Sequence, residues 1–295
     1  MRRFFTYFSI AALFLSGLLA PITAQDFEIK LIRPVKVGER YGVQSKAANE
    51  QHMTITADGQ AMPPNDEVIS TVLTAKAETL GVTPGGRECK TRFTVIKFVK
   101  ITGDKTEDAL PPGTVLVGER PNAKTYTKTQ FTIADAPVAP DMAKLLGMVI
   151  SLENDQGVND DVVFGTKEPK KVGDTWPVNY KAAALDFTAK QNILVDPANI
   201  SGTATLVEQT QNGLKISANM EMKQIGFPLP PGMTVTSSAF VAKFSGVFPV
   251  DVTKRAVSSS MGIEGKVEFA GKSNGKDLAM VMTLKQAMEV TFTKP

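Results

Sequence analysis

Imidazole and thiol groups are scarce in this sequence of 295 residues. It contains one histidine, His52, and one cysteine, Cys89. Any Ser-His-Asp or Cys-His device within the chain would therefore have to use His52. In a predicted strand, His52 lies on the same polar face as Thr54, while Met53 and Ile55 lie on the opposite face. We expect an exposed histidine without a catalytic role.

Motifs for nucleotide, zinc and acyl-transfer chemistry do not occur in the sequence. It has no Gly-x-x-x-x-Gly-Lys-Ser/Thr, His-Glu-x-x-His or Gly-x-Ser-x-Gly, and one His with one Cys cannot complete a zinc site made only of His and Cys ligands. Residues 273–276 match Ser-x-x-Lys, but in a predicted hairpin turn rather than on a helix. The acidic stretch 153–161 lacks the spacing of a calcium loop, so we expect a solvated loop. We predict no catalytic residue, no metal site and no cofactor.

The charge balance does not support nucleic-acid binding. The 33 Lys and Arg residues stand against 30 Asp and Glu, and without Arg2 and Arg3 the balance is 31 against 30. Attraction to a phosphate backbone requires a basic field, which this composition lacks. We expect no nucleic-acid partner.

The first 24 residues have the form of a secretory signal peptide. Arg2 and Arg3 precede an apolar stretch from Phe4 to Ala20, and Ala24 is a suitable small residue for cleavage. An uncleaved anchor is the alternative, because the apolar stretch is long. No second membrane segment follows, so we expect an exported protein, periplasmic or extracellular.

Two short motifs occur twice in the same order. The first motif is Lys-Val-Gly followed by an acidic residue, any residue and a large aromatic residue, and it occurs at 36–41 and 171–176. The second motif is Leu-Pro-Pro-Gly, which occurs at 110–113 and 229–232. The repeated motifs predict an internal duplication. The alternative is that the first motif is a common way to begin a strand and arose twice independently. We predict related units at 25–153 and 162–295, with the acidic loop between them, and the two could also form one merged domain.

Alternating apolar and polar residues predict antiparallel strands. The alternation is clearest at 214–223, where Gln211-Asn212-Gly213 predicts a hairpin turn to the preceding strand. A second hairpin is predicted at Asn274-Gly275. Residues 67–80 fit either a helix or a strand, and 140–152 predict a short helix. The predicted fold is all-β, with two related antiparallel units packed as a sandwich or as tandem half-barrels and a short helix between them.

Methionine is concentrated in the last quarter of the chain. Seven of the twelve methionines follow residue 219, and most of them fall on the apolar side of predicted strands. Methionine is flexible and polarizable, so a sheet face covered with it could adapt to an acyl chain, and filling a core is the alternative. The candidate apolar binding residues are Met220, Met222, Met261, Met280, Met282 and Met288.

The second half resembles a group of exported bacterial all-β proteins of uncharacterised function. The resemblance lies in Val-Gly-Asp-Thr-Trp at 172–176, Phe-Pro-Val-Asp at 248–251 and Arg-Ala-Val at 255–257. At the level of fold, the chain is also similar to the half-barrels of bacterial lipoprotein carriers. The resemblance implies export and a β fold, and no catalytic residues.

These observations lead to a non-catalytic binding or envelope-associated module with a lipid or another apolar ligand as its partner. The alternatives are an extracytoplasmic hydrolase, with carboxylates contributed by separate strands, and a purely structural envelope protein. The sequence does not indicate an oligomeric state.

Overall fold

The computed structural model describes residues 25–121, 127–273 and 275–294. The chain is all-β, with more than half of the described residues in strands and few helices. The strands of the described residues, in chain order, are β1 (Arg40–Ala57), β2 (Gln60–Ala61), β3 (Asn65–Val82), β4 (Glu88–Thr102), β5 (Lys105–Leu110), β6 (Val115–Glu119), β7 (Gln130–Ile133), β8 (Ala136–Pro137), β9 (Thr175–Pro177), β10 (Ile200–Thr210), β11 (Gly213–Lys223), β12 (Met233–Phe248), β13 (Ser258–Ser273) and β14 (Lys276–Thr293). The helices within these same residues are α1 (Pro140–Val149), α2 (Asp160–Val163) and α3 (Tyr180–Gln191), with a 3-10 turn at Pro197–Asn199.

The strands of the described residues form one 14-stranded antiparallel sheet that is not closed. Its order is β8-β7-β6-β4-β3-β1-β14-β13-β12-β11-β10-β9, with β2 paired to β1 and β5 to β4. Strands from the first half of the chain lie on one side and strands from the second half on the other. β1 and β14 join them edge to edge, in continuous register from Gly42–Thr293 to Ala57–Leu278. The predicted all-β antiparallel fold with a short intervening helix is confirmed.

Alternation along the strands gives the sheet an apolar face, here called the inner face. Residues directly opposite each other on antiparallel strands share a face, so a row of partners can be followed from strand to strand. One such row crosses seven strands, from β10 to β3, through Ala204, Ala218, Phe244, Met261, Met288, Ala47 and Thr71. Along β11 the inner residues are buried, whereas several outer ones, such as Glu221 and Lys223, are exposed. The alternation predicted at 214–223 is confirmed.

Two hydrophobic cores lie on this face, one for each half of the chain. In the first half, α1 buries Leu146 and Val149 among residues of β1, β3, β4, β6 and β7. In the second half, α2 and α3 contribute Val163 and the run 182–184 to a core with β9–β13. In each core, sheet residues are covered by one or two short helices.

The helix α3 was not predicted from the sequence. Its apolar residues include small alanines at 182–184, which give little amphipathic signal, although alanine favours helix. The Asn179 side chain accepts a hydrogen bond from the Ala182 amide (3.2 Å), as an N-cap does. An asparagine before an alanine-rich run is the signal that could have predicted it. Residues 67–80, left open between helix and strand, belong to β3.

Both predicted hairpins connect strands that pair in the structure. Thr210 pairs with Gly213, on either side of the first turn, and Ser273 pairs with Lys276 on either side of the second. Asn274 itself lies outside the described residues, as do the predicted signal peptide at 1–24 and part of the segment before β7.

The two echoed turns have the same local geometry. Gly38 and Gly173 have positive φ angles of 83° and 94°, which glycine adopts without steric cost. Gly38 precedes β1, and its amide donates to the Thr79 carbonyl of the neighbouring strand β3 (2.8 Å). In the same way Gly173 precedes β9, and its amide donates to the Leu206 carbonyl of the neighbouring strand β10 (2.8 Å). This likeness is consistent with duplication, which stays a prediction.

The segment before β1 packs with the second half of the chain. Phe27, Ile29 and Leu31 alternate into the core of β9–β13, and all are at most 6% exposed. The Asp161 carboxylate at the start of α2 accepts hydrogen bonds from the Leu31 and Ile32 amides. The chain therefore crosses the second half before it enters β1. No helix in the described part of the chain is long and apolar enough to cross a bilayer.

Candidate ligand cavity

Two adjoining cavities lie between the inner face and the helices. The first, of about 270 Å³, lies between β1, β3, β4, β13 and β14 on one side and the end of α1 with the loop after it on the other. The second, of about 350 Å³, lies between β11, β12 and β13 on one side and α2 and α3 on the other. The two cavities share five lining residues, Ser151, Glu153, Asp160, Phe244 and Met261.

The structure places three of the six candidate methionines at these cavities. Met288 lines the first, Met220 lines the second and Met261 lines both. Met222 borders a shallow depression elsewhere on the sheet, while Met280 and Met282 pack half-buried against the second core. All six lie on the inner face, because each is directly opposite another inner-face residue. The opposite residue is Ala242 for Met220, Phe240 for Met222, Phe244 for Met261, Phe269 for Met280, Val267 for Met282 and Ala47 for Met288. Their role in ligand binding stays a prediction.

His52 lies on the opposite face of the sheet from the cavities. Its ring nitrogen Nδ1 is 3.1 Å from the Asp66 carboxylate, and both side chains are 55% exposed. It borders neither of the two cavities. The expected exposed histidine is what the structure shows.

A polar cluster that the sequence did not reveal borders the first cavity. Glu88, at the start of β4, accepts hydrogen bonds from the Tyr41 hydroxyl (3.0 Å) and from Thr91 (2.9 Å). Arg255, in the loop between β12 and β13, places Nη1 3.0 Å from Glu88 and Nε 3.1 Å from Glu39. The guanidinium carbon also lies 3.9 Å from the centre of the Tyr41 ring. Arg255 therefore connects a loop of the second half to β1 and β4 of the first.

Burial and charge in this cluster shift the pKa values of two side chains. Burial raises the pKa of Tyr41 far above its ordinary value, and the neighbouring Glu88 carboxylate raises it further. For Arg255, burial lowers the pKa, but the carboxylates of Glu88 and Glu39 raise it by more, so its pKa lies above the ordinary value. Tyr41 is therefore a stable hydrogen-bond donor and Arg255 a permanent cation.

Carboxylates are also present at the second cavity, on loops and helices. Glu153 precedes α2, Asp160 begins it and Asp186 lies within α3. The hydrolase alternative expected carboxylates from separate strands, and these three do not have that origin. Each of them already takes part in a polar or electrostatic interaction. Within the described residues, no three His, Cys, Asp or Glu side chains are grouped to hold a metal ion.

The acidic stretch 153–161 is packed rather than solvated, which corrects the sequence expectation. Asn154 is 1% exposed, and its Nδ2 donates to Thr127 Oγ1 (3.1 Å) and to Gln156 Oε1 (2.8 Å). The Asp155 carboxylate accepts a hydrogen bond from the Thr83 hydroxyl (2.6 Å). Composition alone suggested a solvated loop, but the hydrogen bonds to Thr127 and Thr83 attach it to distant parts of the chain.

Comparison with known proteins gives no family. No family model matches the chain, and no curated protein matches it. Among solved structures, lipovitellin, in a study of its lipid–protein interactions, aligns over 88% of this chain and 26% of its own length, at 7% identity and a TM-score of 0.34. The outer membrane protein AlkL, studied in DMPC bilayers, aligns over 91% of this chain and 97% of its own length, at 8% identity and a TM-score of 0.19. OpdQ of Pseudomonas aeruginosa aligns over 87% of this chain and 97% of its own length, at 7% identity and a TM-score of 0.19.

The chain spans about a quarter of the lipovitellin chain that it matches. TM-scores of this size carry no argument about function, so a functional conclusion has to rest on the geometry and chemistry of the cavities.

Proposed function

We propose that this protein is an exported, non-catalytic binding module that holds a lipid-like apolar chain between the inner face of its sheet and its helices. The observation that carries the proposal is the pair of adjoining cavities, the first with mainly apolar walls and the second with apolar residues beside charged ones such as Arg120 and Asp186. Ligand pockets are typically concave, mostly apolar with a few polar groups, and about 300–1,000 Å³ in volume. The two cavities together fall within that size range.

The residues of the walls suit a flexible apolar chain. The first cavity has Val43, Val290 and Phe292 in its walls and the second has Ala218 and Ile263. The three methionines add unbranched thioether side chains, which adapt to ligands of varied shape. Each methylene transferred from water to such a wall contributes about 0.8 kcal/mol. A chain of ten methylenes therefore gains about 8 kcal/mol, against which the loss of translational and rotational freedom counts.

Export supports the choice of an envelope role. The sequence predicts a signal peptide at 1–24 and a nearly neutral remainder. A protein outside the cytoplasm that buries an apolar chain could carry or store a lipid of the envelope. Its location stays part of the proposal.

A substitution that fills the second cavity tests the proposal. Ala242 is a half-buried residue of β12 that lines this cavity, and a phenyl ring there occupies the space of the ligand. We expect Ala242→Phe to weaken binding of 1-lauroylglycerol at least tenfold, measured by isothermal titration calorimetry below the aggregation concentration of the lipid.

The matched control is Ala239→Phe, on the same strand. Ala239 is three positions from Ala242, so it lies on the opposite face of the sheet, away from the cavity. It is also exposed. This variant keeps the affinity of the unaltered protein. No binding of 1-lauroylglycerol to the unaltered protein, together with no lipid in organic extracts of the purified protein by mass spectrometry, would leave a structural role as the better account.

A further inference from the structure

Met261 lies at the junction of the two cavities and stands apart from its surroundings on the inner face. Its side chain is 47% exposed, whereas Val267 and Phe269 on the same face of β13 are 0% and 7% exposed. It lines both cavities, as do Ser151 and Glu153 of the loop after α1 and Asp160 at the start of α2. An exposed thioether at this point is in contact with open space on two sides.

The other inner-face residue shared by both cavities is held in place. The ring of Phe244 stacks on Phe164 of the opposite wall, with centroids 5.6 Å apart and planes at 8°. It also contacts Phe248 at a centroid distance of 6.3 Å. Met261 has no branch and three rotatable bonds beyond the backbone. Of the two inner-face residues at the junction, Met261 is therefore the one that can move aside.

The volumes indicate which ligands need the junction. One cavity measures about 270 Å³ and the other about 350 Å³, each near the lower limit of ligand pockets. A short chain fits within one of them. A long unbranched chain has to occupy both, and its path between them passes Met261.

We infer that the ligand is a single long unbranched chain that extends through both cavities, and that Met261 determines the chain length accepted. This inference rests on the proposed function and narrows its ligand class. A bulky side chain at position 261 divides the space, so that long chains lose affinity and short chains keep it. A fused-ring ligand, which cannot bend past the junction, is not expected to bind.

The test compares 1-octanoylglycerol and 1-palmitoylglycerol by isothermal titration calorimetry. We expect Met261→Trp to weaken binding of the palmitoyl compound at least tenfold and to change that of the octanoyl compound less than threefold. The control is Met53→Trp, a half-buried inner-face methionine on β1 that lines neither cavity. It leaves both affinities unchanged. Because Met261 is about half exposed, the tryptophan variant should fold, and thermal unfolding checks this.

A second measurement needs no variant. The unaltered protein is expected to bind one palmitoyl chain per molecule, and two palmitoyl chains per molecule would overturn the inference because each cavity would then be a site by itself. Equal weakening of both ligands by Met261→Trp, or no weakening of either, would overturn it as well while leaving the proposed function intact. If neither compound binds to the unaltered protein, the proposed function fails.

Discussion

Replacing Arg255 with alanine is expected to lower the free energy of unfolding by about 3–5 kcal/mol, the cost of removing one partner from a buried ion pair. The side chains of Arg255 and Glu88 are 15% and 12% exposed. Without the guanidinium, Glu88 stays buried as an unpaired charge, and the loop between β12 and β13 loses its contacts with β1 and β4. Chemical denaturation with urea at neutral pH measures the change.

A solvent-exposed pair provides the control for this effect. Lys215 and Glu208 are 3.0 Å apart with side chains 42% and 50% exposed, and pairs of this kind contribute about 0–1 kcal/mol. Lys215→Ala should therefore change stability by less than about 1 kcal/mol. Equal effects of Arg255→Ala and Lys215→Ala would show that the cluster does not join the halves.

The second large effect is expected at alkaline pH and depends on Tyr41. In the folded protein its pKa is well above the value of about 10 that the unfolded chain has. Above pH 10 the unfolded state has lost this proton while the folded state keeps it. The free energy of unfolding then falls with rising pH, by about 1.4 kcal/mol per pH unit from this group. Below pH 10 the contribution is fully present.

Tyr41→Phe removes the titrating hydroxyl, so the part of the fall in unfolding free energy above pH 10 that comes from Tyr41 disappears. At neutral pH the variant is less stable by about 1.5–3 kcal/mol, because the hydrogen bond to the charged Glu88 is lost. The control is Tyr180→Phe, which removes a hydroxyl that donates to the Gly202 carbonyl at 3.3 Å. Urea unfolding between pH 8 and pH 11.5 compares the three proteins. A slope for Tyr41→Phe as steep as that of the unaltered protein would refute the assignment.

The strands and their faces could be predicted because the information is local. In β11 the apolar residues Leu214, Ile216 and Ala218 recur at every second position, and only a strand places such residues on one side. Asn212-Gly213 then fixes the turn. The register of β1 with β14 could not be read in the same way, because it joins positions more than 200 residues apart. The sequence therefore predicted two related units, or one merged domain, but not the single sheet in which their strands are joined.

The candidate site was predicted only in part, for a similar reason. Methionine positions indicated the inner face, but which of them border open space depends on where the helices and the loop after α1 cover the sheet. Arg255 and Glu88 are 167 residues apart, and neither stands in a motif that points to the other. A buried ion pair of this kind becomes visible only when the chain is folded.

Methionine methyl groups report directly on whether the ligand lies against the inner face. With 13C-labelled methionine methyls, addition of 1-palmitoylglycerol should shift the NMR signals of Met220, Met261 and Met288, assigned by single Met→Leu variants. The signals of Met62, which is 49% exposed, and of Met280, which lines neither cavity, should stay in place. Shifts at Met62 or Met280 without any at Met261, or no shifts at saturating lipid, would contradict the account.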